Sequence, residues 1–125
     1  MTENELATII VDSAFRVHTT LGPGLLETVY QAALAYELKK RGLKVALERG
    51  IPAVYEEVRL DLGFRADIIV ENKVIIEIKS IESLAPVHGK ILLTYLRLAD
   101  LRLGLLINFN VALIKDGIRR VVNDL

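Results

Sequence analysis

Residues 63–79 constrain the fold of this chain more than any other stretch. They comprise two segments rich in Ile and Val, joined by the polar residues 71–73, and such β-branched runs are typical of buried strands. Charged residues interrupt the two predicted strands, among them Asp67, Glu77 and Lys79. A charge buried in a strand costs several kcal/mol unless it is paired or bound to a metal ion. The three charges are therefore the first candidates for a functional site.

The length of the loop between the two strands decides whether the carboxylates meet. Side chains alternate along a strand, so Glu77 and Lys79 lie on one face. A three-residue loop would pair Val70 with Val74, and this register places Asp67 opposite Glu77. A two-residue loop without a bulge would put the two carboxylates on opposite faces. The sequence leaves both loop lengths open.

Two carboxylates side by side repel each other, which either raises the pKa of one of them or favours a hard divalent cation such as Mg²⁺. A lysine beside them could orient a water molecule or offset the charge of a phosphate. Glu-x-Lys spacing is also frequent on solvated sheet faces, where the pair contributes little. The pattern alone therefore leaves a metal site and a plain ion pair open.

The 125 residues predict one domain, spanning positions 1–125, that is long enough to bury its own core. Hydrophobic residues make up 52% of the chain, which indicates strands buried on both faces or an apolar surface that a partner covers. A homodimer is the assembly we expect from this excess. The apolar runs are too short to span a membrane and the polar start does not resemble a signal peptide, so we expect a cytoplasmic protein without membrane contact.

The absence of cysteine excludes disulfide bonds and thiolate metal ligands. Sixteen basic residues balance sixteen acidic ones, so the chain has no net charge when histidine is neutral. This balance provides no long-range attraction for nucleic acid, although a local basic patch can coexist with neutrality.

Two helices are predicted before the first strand. The capping-box pair Thr2 and Glu5 begins a helix of about 14 residues that ends before Gly22. Pro23 is well placed to open the second helix, which Gly42 closes. Six residues at helical spacing form the buried arc of this second helix: Leu26, Val29, Tyr30, Ala33, Leu34 and Leu38.

Glu27 is the exception within this arc. Viewed down the helix axis it lies between Leu34 and Leu38, so its carboxylate would face inward. An acidic side chain in the first turn gains from the helix dipole and needs no further function. Alternatively, Glu27 reaches over the sheet toward Asp67 and Glu77. Both interpretations are open from the sequence.

The rest of the chain predicts further strands and a third helix. Residues 43–48 read as a strand, 50–52 as a break and 53–62 as an edge strand. Pro86 begins the third helix, and residues 103–109 form a buried strand that we expect to pair in parallel with 74–79. A final hairpin is expected from arms 111–115 and 118–122 around a turn at Asp116 and Gly117. The apolar stripe of the third helix comprises Ile91, Leu92, Tyr95, Leu96 and Ala99.

Gly24, Glu27 and Tyr30 form the pattern Gly-x-x-Glu-x-x-Tyr. Together with Asp67, Glu77-Ile78-Lys79, Tyr95 and residues 105–109, this pattern makes the chain resemble the GxxExxY protein family, which belongs to the PD-(D/E)XK nuclease superfamily, over roughly residues 5 to 122. The resemblance implies an α/β fold with an αβββαβ core, in which a central mixed sheet of four or five strands is flanked by helices. It also implies hydrolysis of nucleic-acid phosphodiesters, with DNA as the expected substrate and Mg²⁺ or Mn²⁺ as the cofactor.

The resemblance assigns roles to individual residues. Asp67 and Glu77 match the metal-binding carboxylates, and the carbonyl of Ile78 is a further candidate ligand. Lys79 matches the lysine that positions the attacking water or stabilises charge at the phosphorus. Glu27 matches a helix carboxylate that assists the metal site. Three further residues are expected to support the site: Tyr30, Lys90 and Tyr95, with core packing as the alternative role of the two tyrosines.

The chain departs from related nucleases at one position. Their third helix carries Gln-x-x-x-Tyr, and Ile91 stands where the glutamine is expected. An isoleucine cannot donate a hydrogen bond to substrate. A second function therefore stays open, in which a catalytically weakened nuclease fold serves as a binding or assembly module. A third is a metal-dependent hydrolase that acts on another phosphate ester.

Overall fold

The computed structural model describes residues 1–125, which form three α-helices, five strands and one short 3₁₀ helix. In chain order these are α1 (Glu3–Leu21), α2 (Glu27–Lys40), β1 (Val45–Tyr55), β2 (Val58–Val70), β3 (Val74–Lys79), α3 (Pro86–Ala99), β4 (Leu103–Asn108), the 3₁₀ helix (Ile114–Gly117) and β5 (Ile118–Val122). The succession from α2 to β4 is the expected αβββαβ core. None of the helices combines the length and the apolar character that crossing a membrane requires.

The five strands form one mixed sheet in the order β1-β2-β3-β4-β5. Neighbouring strands are antiparallel except for β3 and β4, which pair in parallel and are joined through α3. The parallel pairing expected from the strand-helix-strand order is thus confirmed. Because β3 lies in the middle of this order, the segment that carries Glu77 and Lys79 has a neighbour on each side.

The hairpin between β2 and β3 has the three-residue loop. Val70 pairs with Val74, and the two pairs that follow keep the same register. Glu71 and Asn72 adopt left-handed backbone angles, with φ of 52° and 53°, and make this short reversal. Glu71 is held in place by Lys44, whose backbone N–H donates to Glu71 Oε2 at 2.7 Å. This register places Asp67 opposite Glu77 when it is continued beyond the last pair.

Helices cover both faces of the sheet, which accounts for the high apolar fraction of the chain. One face of the sheet packs against α1 and α2 through Ile68, Ile76, Leu105 and their neighbours. The opposite face packs against α3 through a smaller cluster that includes Ile75 and Leu106. Glu77 and Lys79 share their face with Ile75, so the charged residues lie on the side of α3.

The start of α2 differs from the prediction. Pro23 does not open the helix, because the glycines on either side of it adopt left-handed angles, with φ of 73° at Gly22 and 98° at Gly24. The helix begins at Glu27, and Leu26 takes the extended cap position. Leu26 and Val29 are therefore 73% and 40% exposed rather than buried. In α1 the capping box is confirmed, but the helix is longer than expected, with 19 residues.

Three predicted strand boundaries were also wrong. The edge strand expected at 53–62 is divided by a turn at residues 56–57, which joins β1 to β2. β1 continues through residues 50–52, and its pairing with β2 shifts register between Ile51 and Ala53. Pro52 is accommodated at this irregularity, where a missing backbone N–H costs no ladder hydrogen bond. Residues 111–115 do not form a hairpin arm, because β5 pairs with β4 instead and Ile114 enters the 3₁₀ helix.

The contact between α3 and β4 generates a stability prediction. A Cβ atom at Gly104 would lie 2.8 Å from Leu92 Cγ, and Leu92 is fully buried. Gly104→Ala should therefore lower the free energy of unfolding by about 1–3 kcal/mol through overpacking. Gly89→Ala is the matched control, since its Cβ would meet only Val121 at 4.0 Å. In the helix this change should raise stability by about 0.5–1 kcal/mol. Denaturant titration of both variants measures the difference, and equal stability would contradict the packing described.

Candidate active site

The carboxylates of Asp67 and Glu77 meet where the ladder between β2 and β3 ends. The last paired residues are Ile68 and Ile76. Beyond them, the backbone N–H of Ile78 donates to Asp67 Oδ2 at 2.8 Å, and the backbone N–H of Asp67 donates to Glu77 Oε1 at 3.3 Å. Each carboxylate thus accepts an N–H that the opening ladder leaves without a strand partner. The two side chains are brought together, as the three-residue loop requires.

Burial makes this pair electrostatically unfavourable without a cation. Glu77 is only 9% exposed. Burial raises the pKa of the Glu77 carboxyl to about 8, and the negative charge of Asp67 adds to the effect. Burial likewise raises the pKa of Asp67, against the opposing effect of the hydrogen bond from Ile78. Lys79 lowers the pKa of both carboxyls but does not offset their burial.

Lys79 lines a small cavity of about 30 Å³ next to Glu77. A space of this size holds roughly one or two water molecules. The backbone of Lys79 is fixed on the neighbouring strand, where Lys79 pairs with Asn108 and its carbonyl accepts the N–H of Phe109 at 2.9 Å. The full lining of the cavity is Glu77, Lys79, His88, Ile91, Leu92, Tyr95 and Leu106.

Glu27 is the first residue of α2 and is exposed. Its charge is among those that raise the pKa of Asp67, after burial and the charge of Glu48. Glu27 lies outside the lining of the cavity, so its role at the site stays a prediction. Its place in the first turn still gives it the favourable interaction with the helix dipole.

Tyr30 anchors the loop that carries the glycine of the Gly-x-x-Glu-x-x-Tyr pattern. Its hydroxyl donates to the carbonyl of Gly22 at 2.5 Å and accepts the N–H of Leu25 at 3.1 Å. Its ring stacks on Phe109 with the centroids 4.5 Å apart. Ser80 adds a second anchor, because its hydroxyl donates to the carbonyl of Leu25 at 2.6 Å. The loop before α2 is therefore fastened to the end of β3, and Tyr30 supports the site by holding that loop.

The other expected supporting residues differ in their surroundings. Tyr95 stacks on Phe64 with the ring centroids 3.9 Å apart and forms part of the cavity wall. Burial raises the pKa of Tyr95, and the charges of Glu77 and Asp67 raise it further. Lys90 is exposed on α3 and lies outside the cavity lining. The site thus includes Tyr95 as a wall and leaves Lys90 at its periphery.

Ile91 lines the cavity and is 40% exposed. It belongs to the predicted apolar stripe of α3, but only Leu92 and Leu96 of that stripe are fully buried. A polar side chain at position 91 would therefore retain access to water.

Glu48 was not singled out from the sequence. Glu48 lies on β1 opposite Asp67 of β2, because the pairs on either side are Leu47 with Ile68 and Arg49 with Ala66. Its charge is the largest charge effect raising the pKa of Asp67. Gln31 of α2 donates from Nε2 to Glu48 Oε1 at 2.8 Å and holds this carboxylate. Glu48 belongs to the predicted strand 43–48, but its place opposite Asp67 depends on the pairing of β1 with β2, whose register shifts between Ile51 and Ala53.

His88 is the second residue that sequence reasoning did not identify. It lines the cavity from α3, and its Nδ1 accepts the backbone N–H of Ala85 at 2.9 Å. The available signal was its place as the third residue of a helix that begins at Pro86, where a side chain can cap the helix start.

The donor atoms fit a hard divalent cation. Asp67 and Glu77 supply adjacent carboxylate oxygens, and Mg²⁺ or Mn²⁺ prefers oxygen ligands of this kind. No group of three or more His, Cys, Asp or Glu side chains is placed to hold a metal ion. An ion bound here would therefore need backbone, water or substrate oxygens as well, which is usual for Mg²⁺.

A family model for the PD-(D/E)XK nuclease superfamily matches residues 4–121, almost the whole chain. The chain belongs to the PD-(D/E)XK nuclease superfamily. Superfamily membership suggests a nuclease that acts on nucleic acid, and PD-(D/E)XK nucleases generally depend on divalent metal ions. The five-stranded mixed sheet and the three helices described above agree with the fold of this superfamily.

The fold of the chain is similar to that of a solved structure described as "Crystal structure of SSO0001". The TM-score is 0.57 and the sequence identity is 23%, with 79% of this chain covered. At this identity the likeness shows the fold alone. The match covers 51% of that chain, so this PD-(D/E)XK domain corresponds to about half of it. None of the curated proteins compared with the chain matches it.

The raised pKa of Glu77 predicts how stability depends on pH in the metal-free protein. Between the ordinary value of 4.5 and about 8, the folded protein holds a proton that the unfolded chain releases. Stability should therefore fall as pH rises through this range, by a few kcal/mol at about 1.4 kcal/mol per pKa unit. Glu77→Gln keeps the acceptor for the Asp67 N–H but cannot ionise, so it should flatten this dependence and exceed wild type in stability at pH 8.

Denaturant titration in chelator across the pH range measures this effect. Replacement of the exposed Glu82 by Gln provides the control and should keep the wild-type slope. If Glu77→Gln and wild type lose stability in parallel, the proton is not held at this pair.

Proposed function

We propose that this chain is a metal-dependent nuclease that hydrolyses phosphodiester bonds, with DNA as its substrate, and that it belongs to the GxxExxY family within the superfamily. The observation that carries the proposal is the geometry at the end of the β2–β3 ladder. There, the buried carboxylate of Glu77 and the half-buried carboxylate of Asp67, both with raised pKa values, adjoin each other, and Lys79 lines the cavity beside Glu77. Burying such a pair is costly, and a bound cation would remove that cost.

The residues divide into those that would hold the metal and those that would act on substrate. Asp67, Glu77 and the carbonyl of Ile78 would hold Mg²⁺ or Mn²⁺. The bound ion would activate a water molecule and offset the negative charge of the phosphate. Glu27 would help to orient the hydrated site from the start of α2.

Lys79 would stabilise the reaction from within the cavity. Its ammonium group donates hydrogen bonds to the attacking water or to a phosphate oxygen, where negative charge increases as the new bond to phosphorus forms. The attacking water would release a proton to solvent as its oxygen bonds to phosphorus. The leaving oxygen would depart with the electrons of the broken phosphorus–oxygen bond and take up a proton from solvent. The cavity wall formed by Leu92, Tyr95 and Leu106 limits water to the few molecules that the space holds.

The remaining expectations are part of the same proposal. We propose a cytoplasmic protein formed by one domain over residues 1–125, which acts as a homodimer. Exposed apolar side chains on the β1–β2 hairpin support an interface there, since they leave an apolar surface on an edge strand. They are Val54, Tyr55, Val58, Leu60 and Leu62.

Asp67→Asn tests the metal site directly. The amide oxygen of asparagine can still accept the N–H of Ile78, so the fold should be retained, and in chelator the variant should be at least as stable as wild type because one of two like charges is gone. Calorimetric titration should show that Mn²⁺ binding is lost. Plasmid nicking should fall by at least about a hundredfold, equivalent to about 2.7 kcal/mol of barrier.

The control for this experiment is Asp61→Asn, a change on the same strand at an exposed position. It should leave metal binding and nicking unchanged. Strong destabilisation of Asp67→Asn in chelator would instead make Asp67 a structural partner and end the metal-site interpretation.

Ile91 favours the second function, a binding or assembly module with weakened catalysis. If the centre works, wild type should bind Mn²⁺ but cut slowly, and Ile91→Gln should raise the rate by about tenfold to a hundredfold, the effect of about 1–3 kcal/mol from one hydrogen bond. Metal affinity should change little. Because Ile91 is 40% exposed, the amide should not destabilise the fold, which melting temperature verifies.

Val87→Gln supplies the matched control, since Val87 is exposed on α3 one turn earlier and lies outside the cavity lining. It should not change the rate. If wild type and Ile91→Gln both bind Mn²⁺ and remain folded yet cut neither DNA nor RNA, the binding module replaces the nuclease as the function.

A further inference from the structure

His88 has a fixed tautomer. The backbone N–H of Ala85 donates to His88 Nδ1 at 2.9 Å, at the start of α3. A backbone N–H can only donate, so Nδ1 acts as the acceptor and the neutral ring carries its hydrogen on Nε2. The helix cap therefore leaves His88 with one defined donor, the Nε2–H group.

This donor has no acceptor within the protein. The hydrogen bond from Ala85 is the only one that the His88 ring makes. The ring lines the same cavity as Glu77 and Lys79, and it is only half-buried, so a ligand can reach it. A free N–H group is thus available beside the carboxylate pair.

The cavity that His88 lines contains the carboxyl of Glu77, but the groups on the α3 side of that carboxyl favour an anion. Lys79 contributes a positive charge to the cavity, and the start of α3 adds the positive end of the helix dipole without an acidic residue in its first turn. Arg119 donates to the carbonyls of Leu84 at 3.3 Å and Ala85 at 3.5 Å, which holds the segment before the helix. Cationic and donor groups therefore lie on the α3 side of the carboxylate pair.

We propose that His88 binds the substrate by donating a hydrogen bond from Nε2 to a non-bridging oxygen of the phosphate. This inference rests on the proposed function, because it assigns the oxygen to a phosphate that enters beside Glu77. His88 and Lys79 then contact the phosphate from α3 and β3, respectively. The donor is held in advance by the helix cap, so it needs no reorganisation when substrate binds.

Nuclear magnetic resonance can test the contact without catalysis, because the chain has only two histidines. Thymidine 5′-monophosphate is the probe, since it carries a phosphate but no phosphodiester to be cut. In the presence of Mg²⁺ it should shift the ring Hε1 resonance of His88. The resonance of His18 should not move, because that ring is buried and bonded to the carbonyl of Val111 at 2.8 Å. Thymidine, which lacks the phosphate, should shift neither.

Two variants separate substrate binding from helix capping. His88→Asn keeps an acceptor at the position of Nδ1 but has no donor at the position of Nε2. His88→Gln offers both an acceptor for the cap and an N–H donor. Both should melt at the wild-type temperature. His88→Asn should slow plasmid nicking by about tenfold to a hundredfold, and His88→Gln should restore most of the rate.

The outcomes distinguish this inference from the proposed function. If wild type nicks DNA and His88→Asn nicks equally fast, His88 is only a cap and the inference is wrong. The inference is also wrong if the nucleotide shifts other resonances, or none at all, and leaves His88 unmoved. If the nucleotide shifts His88 but wild type cuts no nucleic acid, the phosphate contact stands and the nuclease function fails.

Discussion

The rest of the site depends on the separation of β2 from β3 after the pair Ile68 and Ile76. A ladder that opens inside a protein leaves backbone N–H groups without strand partners, and such groups must find other acceptors. Here the acceptors are the carboxylates of Asp67 and Glu77. The same two side chains therefore complete the backbone hydrogen bonding and form the acidic pair. These two hydrogen bonds restrict the side-chain conformations of Asp67 and Glu77 more strongly than rotamer preference alone would.

The helices act on this pair from opposite faces of the sheet. The loop before α2 is anchored by Tyr30 and Ser80, which sets the position of Glu27 relative to the end of β3. On the other face, α3 contributes the cavity wall and the capped ring of His88. The core on each face is apolar and well covered, so the charged residues are confined to one end of the sheet. Because the rest of both sheet faces is covered by apolar side chains, the titratable groups of the site lie close together in one small polar region.

The sequence predicted the parts of this arrangement that follow from local pattern. Asp67, Glu77 and Lys79 were conspicuous because they are charges in strands that are otherwise apolar, and the capping box at Thr2 and Pro86 at the start of α3 are local signals. Glu48 could not be found in this way, since its place opposite Asp67 depends on a β1–β2 register that shifts at the bulge near Pro52 and that no local pattern reveals. The start of α2 was wrong because two glycines with left-handed angles outweighed the preference of Pro23 for a first helical turn.

The pairing of β2 divides this long strand into two mechanically different parts. Only residues from Ile68 to Val70 pair with β3. The first part of β2, residues 58–66, pairs with β1 alone, and the two strands extend there as a two-stranded ribbon. A ribbon of this kind has little stability of its own and can bend or open locally while the sheet stays intact. Asp67 lies at the boundary between the two parts, with its N–H held by Glu77. The ribbon also stacks Phe64 on Tyr95, which forms part of the cavity wall. A molecule bound to the ribbon would therefore act on the site by two routes, through the strand at Asp67 and through the aromatic stack on α3.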